Sequence, residues 1–579
     1  MFWFVFLAAS AAAFILSYGF VNRYLSFKTH KNSCPFVLLT LLANMFVLLS
    51  ITYLLPLDVF YSAQVEDSGP PNDDKVEKRE YFTYSDKIRR DTGLEEPNIP
   101  SFVTVWSVIY WLEFVISWFI FPVLISYLDL KYLFPRRSDE PSRRRILRRI
   151  REALICNIKF YGMCAAGIVG GLIYLKITTN RGFSDFKPLV ISLTHLYSLL
   201  YMLVLLATGL VSMPKSLLLE KNDEIELFVK LSQNNDDLND AKLNMTDNAE
   251  RILSISAVAS TDEAVNQVID ACKREVQVTI NETKIHIPDL PSSNNQNHIS
   301  LKKLNDLYND FISAYYNYVY HQSRSDTIIH TLVSSQSNST SMPFIITKKA
   351  AGAVSLLLSL LIVLLEVTPT EFAHSWLFWG NTWKHFGLEM TLLIYCTLCS
   401  LFSLSKFKFQ NFHIIPNGNS NPRNTLYYSL YSSRLLVPLC FNFITLIPRK
   451  GHSVKSGFEK VLYKELEVIS LVNYLNLYLP IITMIFVPIF YYFNLKEKIL
   501  LHILGEEYYY EFFGMNYDTP VANRCSGSGS LSDGLLTDPH RTRIGEDLEY
   551  SLQDGRYLFE RATNNYVAGS GANRHFIIP

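Results

Sequence analysis

Four ionisable side chains sit inside long apolar runs of this chain: Glu113, Arg434, His195 and Lys159. A charged residue at mid-bilayer raises the insertion free energy by roughly 2.5–3.5 kcal/mol, so such groups persist where they are paired, hydrated or able to snorkel. Glu113 falls near the middle of the third run and Arg434 near the middle of the eighth. Lys159 lies just inside the fourth run and His195 further into the fifth. The four form a candidate intramembrane polar site. Glu113 and Arg434 suit either the charged walls of a ligand or ion pocket, or a buried pair that fixes helix packing. The residue types support both readings equally.

Other chemistry is thinner. The chain has no Walker A loop, no His-Glu-x-x-His, no Gly-x-Ser-x-Gly and no zinc-spaced pair of Cys-x-x-Cys motifs. One Cys396-x-x-Cys399 occurs, inside the seventh run, where two thiols a turn apart read as packing residues. No residue set points to a catalytic centre, a metal or a cofactor. Arg143, Arg144, Arg145, Arg148 and Arg149 form a basic cluster beside two apolar runs. That placement suits anionic lipids of the inner leaflet better than nucleic acid. The balance of 53 Lys and Arg against 53 Asp and Glu also removes any global basic field.

The elements that must hold these residues are membrane spans. Of 579 residues, 49% are hydrophobic and 18% charged, against about 25% charged in ordinary soluble domains. Nine stretches are apolar enough to cross about 30 Å of hydrocarbon as helices: 2–21, 35–55, 101–128, 155–176, 189–213, 350–367, 386–405, 425–447 and 477–495. The fold class is therefore an all-α integral membrane protein, a bundle of five helices over 1–213 and one of four over 343–495. Residues 214–342 lie between them as a long loop.

Lys and Arg in short loops set orientation. Nine of them in 129–154, against four acids, place that loop in the cytoplasm. Nine spans then put the N-terminus outside, and 214–342, 406–424 and the C-terminus inside. The basic loop 448–476 lands outside and fits this scheme poorly. The triplets at Asn244, Asn281 and Asn338 have the form of glycosylation sites, which a cytoplasmic loop would leave unused.

Within 214–342, Leu301, Leu304, Tyr308, Phe311, Tyr315 and Tyr318 alternate at spacings of three and four, the seam of a short coiled coil. The seam is too short to stand alone, and 216–232 and 238–275 are its candidate partner helices; a cytosolic or membrane protein docking on this loop is the other use for it. Trp376, Trp379 and Trp383 read as an outer aromatic belt. Residues 496–517, rich in Tyr and Phe, read as an interfacial amphipathic helix. Residues 518–579, opening near Ser526-Gly-Ser-Gly-Ser, read as a disordered cytoplasmic tail.

Several segments resemble a known family. Leu55-Pro56-Leu57-Asp58-Val59 closes the second span, and Tyr110-Trp111 through Trp118, Pro122 and Tyr127 leads through the basic loop to Tyr161-Gly162. Arg434-Leu435, Pro438-Leu439, Asn442-Phe443 and Tyr492-Phe493-Asn494-Leu495 complete the set. With the five-plus-four plan, these resemble the limb-region-like, or lipocalin-interacting membrane receptor-like, multipass proteins, in particular the limb-region-1 domain-containing protein 2 subgroup. The loops, rich in Asn and Ser, have a fungal look. The resemblance implies a non-enzymatic, receptor-like or scaffold component of membrane signalling or trafficking. A transporter or transport-accessory subunit is the rival, and the resemblance supplies no small-molecule ligand and no ligand-binding residues.

Overall fold

The structure, a computed structural model, describes residues 2–25, 35–67, 102–133, 142–179, 186–218, 224–255, 263–283, 300–336, 342–368, 382–406, 418–446, 456–462, 470–492 and 539–568, with a few isolated residues between. Among them the secondary structure is helical, save for one antiparallel bridge between Leu25 and Asn419.

The helices are α1 (Phe2–Tyr24), α2 (Pro35–Asp67), α3 (Phe102–Val115), a π turn (Ile116–Ile120), α4 (Phe121–Asp129), α5 (Ser142–Thr179) and α6 (Phe186–Leu218). The central segment supplies α7 (Glu224–Leu253), α8 (Glu263–Thr283) and α9 (Leu301–Gln336). There follow α10 (Met342–Val367), α11 (Thr382–Lys406), α12 (Pro422–Ser433), α13 (Leu436–Leu446), α14 (Gly457–Leu462), α15 (Ser470–Tyr492) and α16 (Pro539–Ala568).

Among the described residues eight helical stretches are long and apolar enough to cross a membrane, running from Trp3–Tyr24 to Pro422–Leu446. The ninth expected span corresponds to α15, whose apolar stretch Tyr478–Tyr491 is shorter. Helix α6 is the central post, with α10, α11 and α15 packed around it. Its Leu199, Met202, Leu203 and Leu206 are fully buried. At Gly209 the α11 backbone comes so close that a Cβ would stand 2.2 Å from the Cys399 carbonyl oxygen. Only glycine permits that crossing, the small-residue contact by which helices associate in lipid. Cys396 and Cys399 are buried free thiols in this contact zone. Polar glue supplements it: Ser359 Oγ donates to the Leu210 carbonyl at 2.8 Å, and Tyr395 OH to that of Ser355 at 2.7 Å.

Proline shapes the third span. Pro122 has no N–H to give the Trp118 carbonyl one turn earlier, and the backbone loosens into the π turn just before it. The Tyr161 hydroxyl of α5 donates to that Trp118 carbonyl. Asn157, also on α5, donates to Ser126 Oγ at 2.9 Å and to the Pro122 carbonyl at 3.3 Å. Pro122 and Tyr161 of the family-like signature are thus partners in one repair.

The seam of α9 is buried: Leu304, Tyr308 and Phe311 pack with Met245, Ala249 and Ile252 of α7 and with Ile269, Cys272, Val276 and Ile280 of α8. The helix outruns the seam, continuing to Gln336 because a second apolar set, Ile328, Ile329 and Leu332, carries it on.

The tail departs from its expected disorder. Helix α16 packs against α7, and its Leu558, Phe559 and Ala562 join Ile328, Ile329 and Leu332 of α9 in one apolar cluster. Its Leu552, Gly555, Phe559 and Ala562 recur at three and four residues, a period hidden in a polar, glycine-serine-rich region. Trp376 and Trp379 of the aromatic belt lie outside the described residues. The same is true of the interfacial segment 496–517 apart from His502, and of 518–538.

Candidate functional site

Hydrogen bonds sort the ends of the helices into two faces. On one, Gly418 and Ser420 donate to the Arg23 and Tyr24 carbonyls at 3.0 and 3.2 Å, and Arg423 Nε lies 3.2 Å from the Asp129 carboxylate. On the other, Asp58 at the far end of the second span meets Trp106 and the start of α14.

The first face carries the densest polar cluster outside the bundle. The chain leaves the third span at Asp129 and turns through Lys131 and Tyr132 onto the central helices. The Asp129 carbonyl accepts from Asn305 Nδ2 at 2.7 Å and Asn309 Nδ2 at 3.0 Å, and Tyr132 N–H donates to Asn305 Oδ1 at 3.0 Å. Glu275 of α8 is the hub. Its carboxylate accepts from Lys131 Nζ, from Tyr132 OH and, at 2.7 Å, from Tyr308 OH. The Tyr132 and Tyr308 rings meet edge to face at 4.6 Å. Behind them the Arg149 guanidinium lies 4.0 Å from the Tyr127 ring centre, and Nη2 donates to the Leu128 carbonyl at 3.2 Å.

The electrostatics follow from this geometry. Burial alone would raise the Glu275 carboxyl, but the Lys131 ammonium and the three donated hydrogen bonds outweigh it and hold the group below the ordinary carboxylate range. Burial, with Glu275 beside them, pushes the Tyr132 and Tyr308 phenols up. Burial and the same carboxylate raise the Cys272 thiol to about 12. The cluster is one anion held by one cation and two neutral phenols. It carries no nucleophile at neutral pH; what it can do is key the central helices onto the bundle in one register.

The second face holds Asp58, which is 1% exposed. Oδ2 accepts from Trp106 Nε1 and Phe458 N–H, and Oδ1 from Gly457 N–H, all at 2.9 Å. Ser456 and Glu459 add a reciprocal capping box to the same helix start, with 2.7 and 3.3 Å contacts. Asp58 therefore clamps the second span, the third span and α14 together. Sequence reasoning passed it over as a span terminus, although Ser456-Gly-Phe-Glu459 spells a cap three residues wide.

The four intramembrane candidates do not form one pocket. Glu113 is buried, and its Oε2 has no hydrogen-bond partner among the described residues. Its carboxyl lies near Ser433, whose hydroxyl donates to the Leu430 carbonyl at 2.8 Å and which precedes Arg434. Arg434 itself is exposed at the break between α12 and α13, its guanidinium 5.8 Å from the Tyr431 ring centre. No ion pair joins Glu113 to Arg434 among the described residues. His195 is buried edge to face against Phe441 at 4.3 Å. Lys159 lies exposed on α5. Of the basic cluster, Arg144 is exposed while Arg148 and Arg149 are partly buried. Among the described residues no group of three His, Cys, Asp or Glu is placed to hold a metal.

Residues 2–496 match the family model described as LMBR1-like membrane protein. A Caenorhabditis briggsae protein named G-protein coupled receptor-associated protein LMBRD2 is 21% identical over 87% of this chain and 84% of its own length. LMBR1 domain-containing protein 2 homolog B of Dictyostelium discoideum is 23% identical over 78% of this chain, which spans 62% of that relative. A Gallus gallus protein with the same name as the nematode one is 26% identical over 35% of this chain and 28% of its own. No solved structure matches. A family model that spans both bundles, joined to an all-helical plan of apolar spans, settles the kinship: the chain belongs to the LMBR1-like membrane proteins, among the relatives named LMBR1 domain-containing protein 2.

Proposed function

We propose that this chain is a non-enzymatic membrane scaffold that works beside a G-protein-coupled receptor and presents its central helices to the cytoplasm. The Glu275 joint carries the reading. It fixes a three-helix arm to the bundle at the end of the third span, so a protein bound in the membrane and one bound to the arm are held in a set geometry. The receptor-associated names of relatives support the kind of partner. The basic cluster at 143–149 favours the cytoplasmic side for this face, where Arg144 meets anionic lipid headgroups.

The test is co-purification of a co-expressed G-protein-coupled receptor with the parent chain and with Glu275→Gln. The substitution keeps shape and removes the charge that Lys131, Tyr132 and Tyr308 hold. Receptor recovery should fall several-fold in the variant while surface delivery is unchanged. Equal recovery with both chains, or none with the parent, overturns the reading.

A further inference from the structure

The far end of the central arm is built as a groove that holds a helix. Phe228 and Leu231 of α7 form one wall, and Ile328, Ile329 and Leu332 of α9 the other. In the resting chain α16 fills it. Leu558, Phe559 and Ala562 point in, and the Phe559 and Phe228 rings meet edge to face at 5.7 Å. Gly555 lets the two backbones touch, since a Cβ there would stand 2.0 Å from the Phe228 carbonyl oxygen. This is helix-in-groove recognition, with apolar anchors at the spacing of successive turns.

The fit is good in shape and poor in charge. Asp554 accepts from Ser232 Oγ at 2.7 Å, but it faces the acidic stretch of α7. Burial first, and to a smaller extent the like charges of Asp554 and Asp240, raise the Asp236 carboxyl above its ordinary value. Lys230, the basic group on the neighbouring turn, is already paired with Glu226 at 2.9 Å. The tail does bring one cation, Arg556, whose guanidinium lies 5.9 Å from the Phe228 ring centre; the mismatch is confined to Asp554, a carboxylate on the Ser232 turn next to Asp236.

We propose that this groove is a docking site for an amphipathic helix of a partner protein that carries a basic residue where the tail carries Asp554, and that the tail is the weaker resident occupant. The partner helix has a small residue at the Gly555 position, a Leu-Phe pair three and four residues on, and Ala or Ser at the 562 position. Displacement of the tail accompanies its binding. The site stands apart from the receptor reading, and its test uses no receptor.

The full chain in detergent is titrated against fluorescent peptides of residues 539–568, native and Asp554→Lys, with anisotropy as readout. Gly555→Val in the chain expels its own tail by the clash with Phe228, and Phe559→Asp expels it independently. Both variants should take up the native peptide while the parent takes up little. The Asp554→Lys peptide should bind them about three- to fivefold tighter, the range of one exposed charge contact. Phe228→Asp in the groove should abolish uptake. Equal binding of the native peptide to the parent and to the two expelled-tail variants overturns the docking site. Equal or weaker binding of the Asp554→Lys peptide overturns the basic partner.

Discussion

Asp58 and Glu113 are both carboxylates buried in the membrane bundle, and they are treated in opposite ways. Both oxygens of Asp58 are taken, by an indole and two backbone N–H groups from segments distant in the chain. Glu113 has one oxygen without a hydrogen-bond partner among the described residues. A buried polar group that is fully bonded rigidifies its surroundings; one left partly unbonded stabilises nothing by being there. The first is a structural rivet. The second is a buried carboxyl with one bond still to make.

The largest expected effect comes from breaking the rivet. Asp58→Ala strands the Trp106 indole and two N–H groups, and each buried donor left unsatisfied costs about 1–3 kcal/mol. The apparent melting temperature in detergent, followed by tryptophan fluorescence, should drop by several degrees or more, with folded yield falling alongside. A variant that melts with the parent would show that the clamp is idle.

Glu275 sharpens the comparison as a third carboxylate, bonded like Asp58 but outside the bundle. Its folded-state pKa is depressed, so its contribution is present above the unfolded value of about 4.3 and is lost as pH falls through the folded value. Hydrogen exchange of α8 and α9, corrected for the intrinsic pH dependence of amide exchange, should therefore be flat from neutrality to about pH 5 and rise only in stronger acid. A rise between about pH 5 and 7 would mean that Lys131 does not hold the carboxylate.

The smallest effect belongs to Glu113. Glu113→Gln keeps the shape and removes a group with an unsatisfied oxygen, so stability should change by less than about 1 kcal/mol. Arg434→Gln should be as mild, and the double variant additive, because no ion pair joins the two. Non-additive thermal shifts would restore the pairing that the sequence leaves open.

How much was legible depends on the range of the signal. Spans announce themselves through hydropathy over about 20 residues, and the seam at Leu304, Tyr308 and Phe311 through its period. Asp58 does not, since its partners lie 48, 399 and 400 positions away. Arg434 counted as mid-span on a linear scale, yet the helix breaks beside it and turns it outward. The tail helix was masked by its neighbours: glycine and serine before it set the composition, while Leu552, Gly555, Phe559 and Ala562 kept a helical beat within it.

Pro122 has a consequence for the order of assembly. Until α5 is in place, the Trp118 carbonyl has neither its helical donor nor the Tyr161 hydroxyl. A bare carbonyl in hydrocarbon is several kcal/mol unfavourable. The third span therefore enters the bilayer with a debt that only its successor can discharge. The two should leave the insertion machinery together, as a hairpin.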